Sequence, residues 1–181
     1  LCSCYVWNWQ ITIHLAEEVK KRNPNCMIIF GGPQTPDNDP DFFKKYPFID
    51  MIVHGEGEFI IANVFEAYLK DKNFLQIKGI ETKDFKNELE PRIKDLESLP
   101  SPYLTETIWE LTEKKDDINY LASWESNRGC PYPCTYCDWG SMTAQKISTF
   151  TEERLFKEIE WFGDNKIVYV DSCDANFGIF Q

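Results

Sequence analysis

The sequence predicts an α/β protein built on a parallel sheet, and three observations carry that expectation. Short apolar runs at residues 26–30 and 50–53 are continuous rather than alternating, as in strands covered on both faces. Between them lie longer stretches whose apolar residues recur at helical spacing. The order strand, helix, strand, helix runs through the first eighty residues, which is the pattern of a parallel sheet whose ligands sit at the carboxyl ends of its strands.

Residues 1–6 read as the end of a strand, closed by Trp7-Asn8. From about residue 10 to 21, Ile11, Leu15 and Val19 recur every four positions among Glu17, Glu18, Lys20 and Lys21, which predicts an amphipathic helix. Asn23-Pro24-Asn25 stops it. The strand at 26–30 runs straight into Gly31-Gly32-Pro33, where the backbone turns sharply and small residues let a ligand approach. A tight turn alone would also explain the glycine pair. Residues 39–45 predict one or two helical turns, ended by Pro47. After the strand at 50–53, His54-Gly55-Glu56-Gly57-Glu58 leads into a helix carrying Ile61, Val64, Phe65, Tyr68 and Leu69. Glu56 and Glu58 suit the positive end of that helix dipole and argue against a phosphate there. Residues 76–81 read as the last strand of the parallel sheet.

Residues 82–97 are charged and show little periodicity. Leu99-Pro100-Ser101-Pro102-Tyr103 then reads as an extended, proline-stiffened linker, and the domain boundary is placed there. Residues 105–119 are acidic and fit either a crossing helix or a strap. Residues 120–126 form a strand that feeds a cysteine-rich loop at its carboxyl end. Residues 148–151 offer helix caps, and the helix that follows is expected to bury Leu155, Ile159 and Phe162. A second strand at 166–170 ends in Asp171-Ser172-Cys173-Asp174, with Cys173 expected as a buried neutral thiol.

Charge and composition exclude several classes of function. The net charge is -11, so no basic surface is available to neutralise phosphates, and neither nucleic acid nor an anionic membrane is an expected partner. No apolar run approaches the ~20 residues that span a bilayer, and no signal peptide opens the chain, so a cytoplasmic location is expected. Seven cysteines, three of them clustered, suit a reducing compartment better than a disulfide framework. The chain opens on Leu1 in what reads as a strand end, so it is expected to be a fragment of a longer protein.

The most specific stretch is RGCPYPCTYCDWG, residues 128–140. Cys130, Cys134 and Cys137 have the spacing CxxxCxxC. Three thiolates on so short a segment suit three irons of a four-iron cluster, leaving the fourth iron open to a small molecule. A structural zinc site would need a fourth ligand, for which Cys173 is available, and a ferredoxin-type electron carrier would need a further cysteine at a family spacing.

The loop resembles the cluster-binding motif of the radical S-adenosylmethionine (SAM) enzymes. The resemblance implies that Cys130, Cys134 and Cys137 hold a [4Fe-4S] cluster and that Tyr136 packs by the adenine of SAM. The amino and carboxylate groups of SAM would chelate the open iron, and one electron would cleave the sulfonium to a 5′-deoxyadenosyl radical. The segments CSCYVWN, FGGP and DMIVHGEGE resemble the latter half of the cobalamin-binding domain that precedes many radical SAM barrels. On that likeness Ser3, Gly31 and Gly32 line the pocket for the cobalamin nucleotide tail, with Gly55 and Glu56 close by. The chain has no DxHxxG, so neither His14 nor His54 is expected as a lower cobalt ligand, and the glycine-glycine-glutamate motif that meets the SAM amino group is also missing.

The fold so implied is a partial Rossmann-like (flavodoxin-like) parallel sheet over residues 1–95, a linker over 96–119, and the first βα units of a partial (β/α)6 radical SAM barrel over 120–181. The implied function is cobalamin-dependent methyl transfer to an unactivated carbon of a small-molecule substrate, through methylcobalamin and the adenosyl radical. A flavodoxin or ferredoxin would serve as reducing partner. Radical rearrangement or cyclisation, and a non-catalytic metal-stabilised binding module, are the competing readings.

Overall fold

A computed structural model describes residues 1–115, 117–137 and 147–179. The chain divides into two units, Leu1–Ile93 and Lys94–Gln181. Among the described residues, no helix is long and apolar enough to cross a membrane.

The first unit runs β1 (Cys2–Ser3), α1 (Trp9–Arg22), β2 (Ile29–Gly31), α2 (Phe42–Lys45), β3 (Met51–Val53), α3 (Gly57–Lys70) and β4 (Ile80–Glu81). Its sheet has the order β1-β2-β3-β4, with β1, β2 and β3 mutually parallel. Successive side chains on a strand point to opposite faces, and this sorts the core into two. Phe30 and Ile52 join Ala16 of α1 and Phe42 of α2 in one cluster. Ile29, Met51 and Val53 join Ile60 and Val64 of α3 in the other. Helices therefore cover both faces, which is why these strands read as unbroken apolar runs. Asp50 locks the amino end of β3: its carboxylate takes the Lys20 ammonium at 2.7 Å and the Ile28 N–H at 2.7 Å.

Two expectations for this unit are corrected. The sheet is mixed rather than wholly parallel, because β4 pairs antiparallel to β3, with Ile52 opposite Glu81 and Val53 opposite Ile80. After α3 the segment 73–78 returns the chain to the carboxyl end of β3, where the His54 N–H donates to the Gly79 carbonyl at 2.8 Å. Entering from that end, β4 runs backwards. The Asn87 amide fastens the return by donating to the carbonyls of Phe74 and Ile77. In α1 the buried face is Trp9, Ile13 and Ala16, whereas Ile11, Leu15 and Val19 are 61%, 57% and 42% exposed. The helix carries two apolar stripes on opposite sides, and the one with the small Ala16 lets its backbone approach the sheet.

The second unit begins with a 3-10 turn at Leu96–Ser98 and continues with α4 (Thr107–Leu111), β5 (Leu121–Trp124), β6 (Asn127–Arg128), β7 (Ser148–Thr149), α5 (Glu152–Asp164) and β8 (Tyr169–Ser172). β5 and β8 are parallel, with Leu121 opposite Tyr169 and Trp124 opposite Ser172. β6 and β7 form a short antiparallel ladder. The proline-rich stretch is tied in locally: Ser101 is buried, its hydroxyl accepts from the N–H groups of Tyr103 and Leu104, and Arg154 donates to the Leu99 carbonyl at 2.6 Å.

Helix α5 starts where the caps predict, with the Thr151 hydroxyl accepting from the Arg154 N–H. Its buried face is Glu158, Trp161 and Phe162, packed with Ala122 of β5 and with Tyr103, Trp109 and Trp124. Ile159, expected inside, is 47% exposed, and Leu155 is half-buried. The large indole of Trp161 sets the orientation by packing 5.2 Å from both Tyr103 and Trp109. Glu158 is carried inside with it and is satisfied there: Arg154 Nε donates to one carboxylate oxygen at 3.1 Å and Trp124 Nε1 to the other at 2.7 Å. Cys173 is exposed rather than buried. Its N–H extends the β5–β8 ladder by donating to the Trp124 carbonyl at 2.7 Å, but its side chain has passed the end of the core.

Cys4 is fully buried, and burial pushes its thiol from the ordinary 9.0 up to about 11. Below pH 9 the folded and unfolded chains both keep this proton, so the contribution of the neutral thiol is intact. Between pH 9 and about 11 the unfolded chain loses it first, and stability falls. Urea denaturation across this range should show that decline, and Cys4→Ala should flatten it relative to wild type.

Candidate functional site

The carboxyl edge of the first unit is built from small residues set in register. Ser3 lies opposite Gly31, and Gly31 opposite Val53, so the three form one row across β1, β2 and β3. Gly32 follows at φ +96° and opens a turn in which both the N–H and the hydroxyl of Thr35 donate to its carbonyl. A Cβ on Gly32 would stand 2.7 Å from the Cys4 carbonyl oxygen and 2.9 Å from its nitrogen. The fold itself therefore demands glycine at 32. A Cβ on Gly31 would make ordinary contacts, at 3.6 Å or more, with Val53.

Beyond Ser3 the chain forms a compact turn braced by Asn8, whose amide donates to the Ser3 carbonyl at 2.9 Å and accepts from the Tyr5 N–H at 2.8 Å. Tyr5 and Trp7 stack outside this turn at 4.6 Å between ring centres, with Trp7 77% exposed. An exposed aromatic face beside a row of small residues suits a broad, partly apolar ligand. At the next position along β3, His54 is buried, and its Nε2 lies 2.9 Å from the Glu81 carboxylate, which Lys86 also meets at 3.0 Å. This pair was not legible in the sequence, because it forms across the antiparallel strand. Gly55 has φ +80° and open space around its Cα, and Glu56 is engaged by Arg92 at 3.2 Å and by the Ile93 N–H at 2.5 Å. Glu56 thus braces the end of the unit's chain.

In the second unit the cysteine loop leaves the carboxyl end of β5. The β6–β7 ladder holds its neck, with Asn127 opposite Thr149 and Arg128 opposite Ser148. Arg128 forms a forked pair with Glu125, at 3.1 and 2.8 Å. Cys130 and Cys137 are half-buried and Cys134 is exposed; all three are free thiols. The Cys137 N–H donates to the Cys134 carbonyl at 3.1 Å, so these two cysteines close one turn. Tyr136, on that turn, is 91% exposed. The flanking Asp138, Trp139 and Gly140 lie outside the described residues.

Three unpaired, accessible thiols on one loop are the right donor chemistry for an iron-sulfur cube. Among the described residues no three His, Cys, Asp or Glu side chains converge as on a single metal ion. A cube gives each thiolate its own iron and so needs no such convergence. Cys173, the candidate fourth zinc ligand, stands exposed at the end of β8.

No protein-family profile matches the chain. It is 39% identical, over 98% of its length, to the cobalamin-dependent radical SAM methyltransferase TokK of Streptomyces tokunonensis. The 2-(S-pantetheinyl)-carbapenam-3-carboxylate methyltransferase of Streptantibioticus cattleyicolor matches to the same extent. An anaerobic magnesium-protoporphyrin IX monomethyl ester cyclase of Synechocystis is 29% identical over 91% of the chain and 36% of its own length. The chain spans 27% of the length of each of the two methyltransferases. Among solved structures, the radical SAM methyltransferase TsrM from Kitasatospora setae, with tryptophan substrate and the SAM analogue aza-SAM bound, superposes with a TM-score of 0.58 at 15% identity, covering 92% of this chain and 33% of that one.

The glycine requirement is directly testable. Gly32→Ala forces a Cβ into the Cys4 backbone at a left-handed φ, and should cost ~1–3 kcal/mol in urea denaturation. Gly31→Ala should leave the denaturation midpoint nearly unchanged.

Proposed function

We propose, from the homology of this chain to the cobalamin-dependent radical SAM methyltransferases, that it serves methyl transfer to an unactivated carbon of a small-molecule substrate. The observation that carries this reading is the trio of free thiols, Cys130, Cys134 and Cys137, on a loop at the carboxyl end of a parallel strand. That is where α/β enzymes gather their chemistry.

When bound, the cluster with SAM supplies a 5′-deoxyadenosyl radical and cobalamin supplies the methyl group. The three cysteine thiolates would hold the cluster, and the exposed ring of Tyr136 is free to cover the adenine of SAM. In the first unit the Ser3–Gly31–Val53 row would form a floor without bulky side chains, and Gly32 would let the chain turn away beneath the cobalamin tail. His54 is held against Glu81 inside the fold, which disfavours it as a ligand to cobalt. We place the partial Rossmann-like domain in the first unit and the opening βα units of the radical SAM barrel in the second. The reductant would be a small redox protein such as flavodoxin or ferredoxin, and the net charge of -11 argues against nucleic acid or an anionic membrane as partner.

Radical cyclisation is the second reading, favoured by the likeness to the magnesium-protoporphyrin ester cyclase. Both readings require the same cluster. Anaerobic reconstitution of the full-length protein with iron and sulfide should give about four irons per chain and a broad brown absorbance. Cys130→Ala, Cys134→Ala and Cys137→Ala should each lose it; stoichiometric zinc without iron would instead support a metal-stabilised binding module. With the cluster in place, methylated product against ring-closed product separates the two enzymatic readings.

A further inference from the structure

The start of the cysteine loop is fixed by a side chain as well as by the β6–β7 ladder. Beyond β5 and β8 the parallel ladder ends with the Cys173 N–H on the Trp124 carbonyl. Asp174, one residue further, then takes the place of backbone. Its Oδ1 accepts from two consecutive N–H groups, Ser126 at 2.7 Å and Asn127 at 3.1 Å, and its Oδ2 accepts from the Ser126 hydroxyl. Two successive N–H groups turned to one oxygen bend the chain away from the line of β5. The bend delivers Asn127 and Arg128 to β7, with the Phe150 N–H closing on the Ser126 carbonyl at 3.3 Å. Cys130 follows only three residues after Asn127.

Asn127 itself is 3% exposed; its amide nitrogen donates to Ser126 Oγ at 3.3 Å while its Oδ1 has no hydrogen-bond partner.

We propose that Asp174 is a positioning residue, which clamps the root of the cysteine loop to the carboxyl end of β8 and thereby sets where Cys130 presents its thiolate. This rests on the reading that the loop holds a cluster, but the clamp has its own signature in the metal-free protein. Asparagine at 174 keeps the carbonyl oxygen for both N–H groups and places an amide N–H against the Ser126 hydroxyl, so geometry survives without the charge. Alanine removes all three bonds.

The test uses the full-length protein in wild-type, Asp174→Asn and Asp174→Ala forms. In the metal-free protein, iodoacetamide labelling read by mass spectrometry should show Cys130 reacting several-fold faster in Asp174→Ala, with Cys134 unchanged and Asp174→Asn close to wild type. After reconstitution, iron should leave to a chelator about 10-fold faster from Asp174→Ala, again with rescue by asparagine. The electron paramagnetic resonance shift that SAM induces in the reduced cluster should shrink in alanine alone. Unchanged Cys130 labelling in Asp174→Ala overturns the clamp, as does an asparagine variant as damaged as alanine, because the charge itself would then be at work. Should alanine prevent folding, Asp174→Glu, which moves the carboxylate by one methylene, must change the Cys130 labelling for the clamp to stand. A wild-type protein that binds no iron defeats the cluster reading, while the labelling comparison still decides the clamp.

Discussion

The parallel pairing of β5 with β8 is the constraint on which the second unit depends. Four residue pairs from Leu121–Tyr169 to Trp124–Ser172 bring two strand ends side by side, and everything of chemical interest leaves from those ends. The pairing is short and leaves one face to a single helix, so it needs help. That help is the aromatic cluster of Tyr103, Trp109, Trp124, Trp161 and Phe162, whose rings meet edge to face, or tilted in the Tyr103–Trp161 pair, at separations of about 5–6 Å. Buried Glu158 is the cost of this arrangement. Removing Arg154 alone would leave that carboxylate short of a partner in a low-dielectric core, which is typically worse than never having buried the pair.

The first unit solves the same problem with glycine instead of charge. Its three parallel strands end level with one another, at Ser3, Gly31 and Val53. Gly32 is fixed by the approach of the Cys4 backbone, and that approach in turn is held by the Cys4 N–H on the Gly31 carbonyl and the Gln34 N–H on the Cys4 carbonyl. A residue chosen for internal packing thus also keeps the edge clear of side chains. The structural and the ligand-directed readings of this glycine do not compete.

Local signals were legible in the sequence, and signals that depend on distant partners were not. The CxxxCxxC spacing, the apolar runs of β2 and β3 and the cap at Thr151 each follow from a few adjacent residues, and the structure has those strands and that helix start. The reversal of β4 was hidden because nothing in residues 76–81 tells which end of β3 they reach; that is decided by the His54–Gly79 hydrogen bond and by Asn87. In α1 two apolar stripes of similar strength were present, and only the fit of Ala16 against the sheet chooses between them. In α5 a charged residue sits in the middle of the buried face, so a count of apolar positions points one residue astray. Cys173 was expected inside because free cysteines usually are, yet it stands just beyond the last paired residue.

Asp174 shows most clearly why the remainder of the site could not be read from sequence. An aspartate after a strand has no local signature that separates a ligand contact from a brace; the distinction lies entirely in what stands opposite, 48 residues earlier in the chain. Here the opposite groups are two backbone donors and a hydroxyl, all belonging to the root of the loop that carries the cysteines. With its oxygens so engaged, Asp174 is poorly placed to act on a substrate and well placed to fix the geometry of what does. A loop that must hold three thiolates in fixed relation needs its ends anchored: the β6–β7 ladder ties the two together, and this carboxylate fixes the first of them.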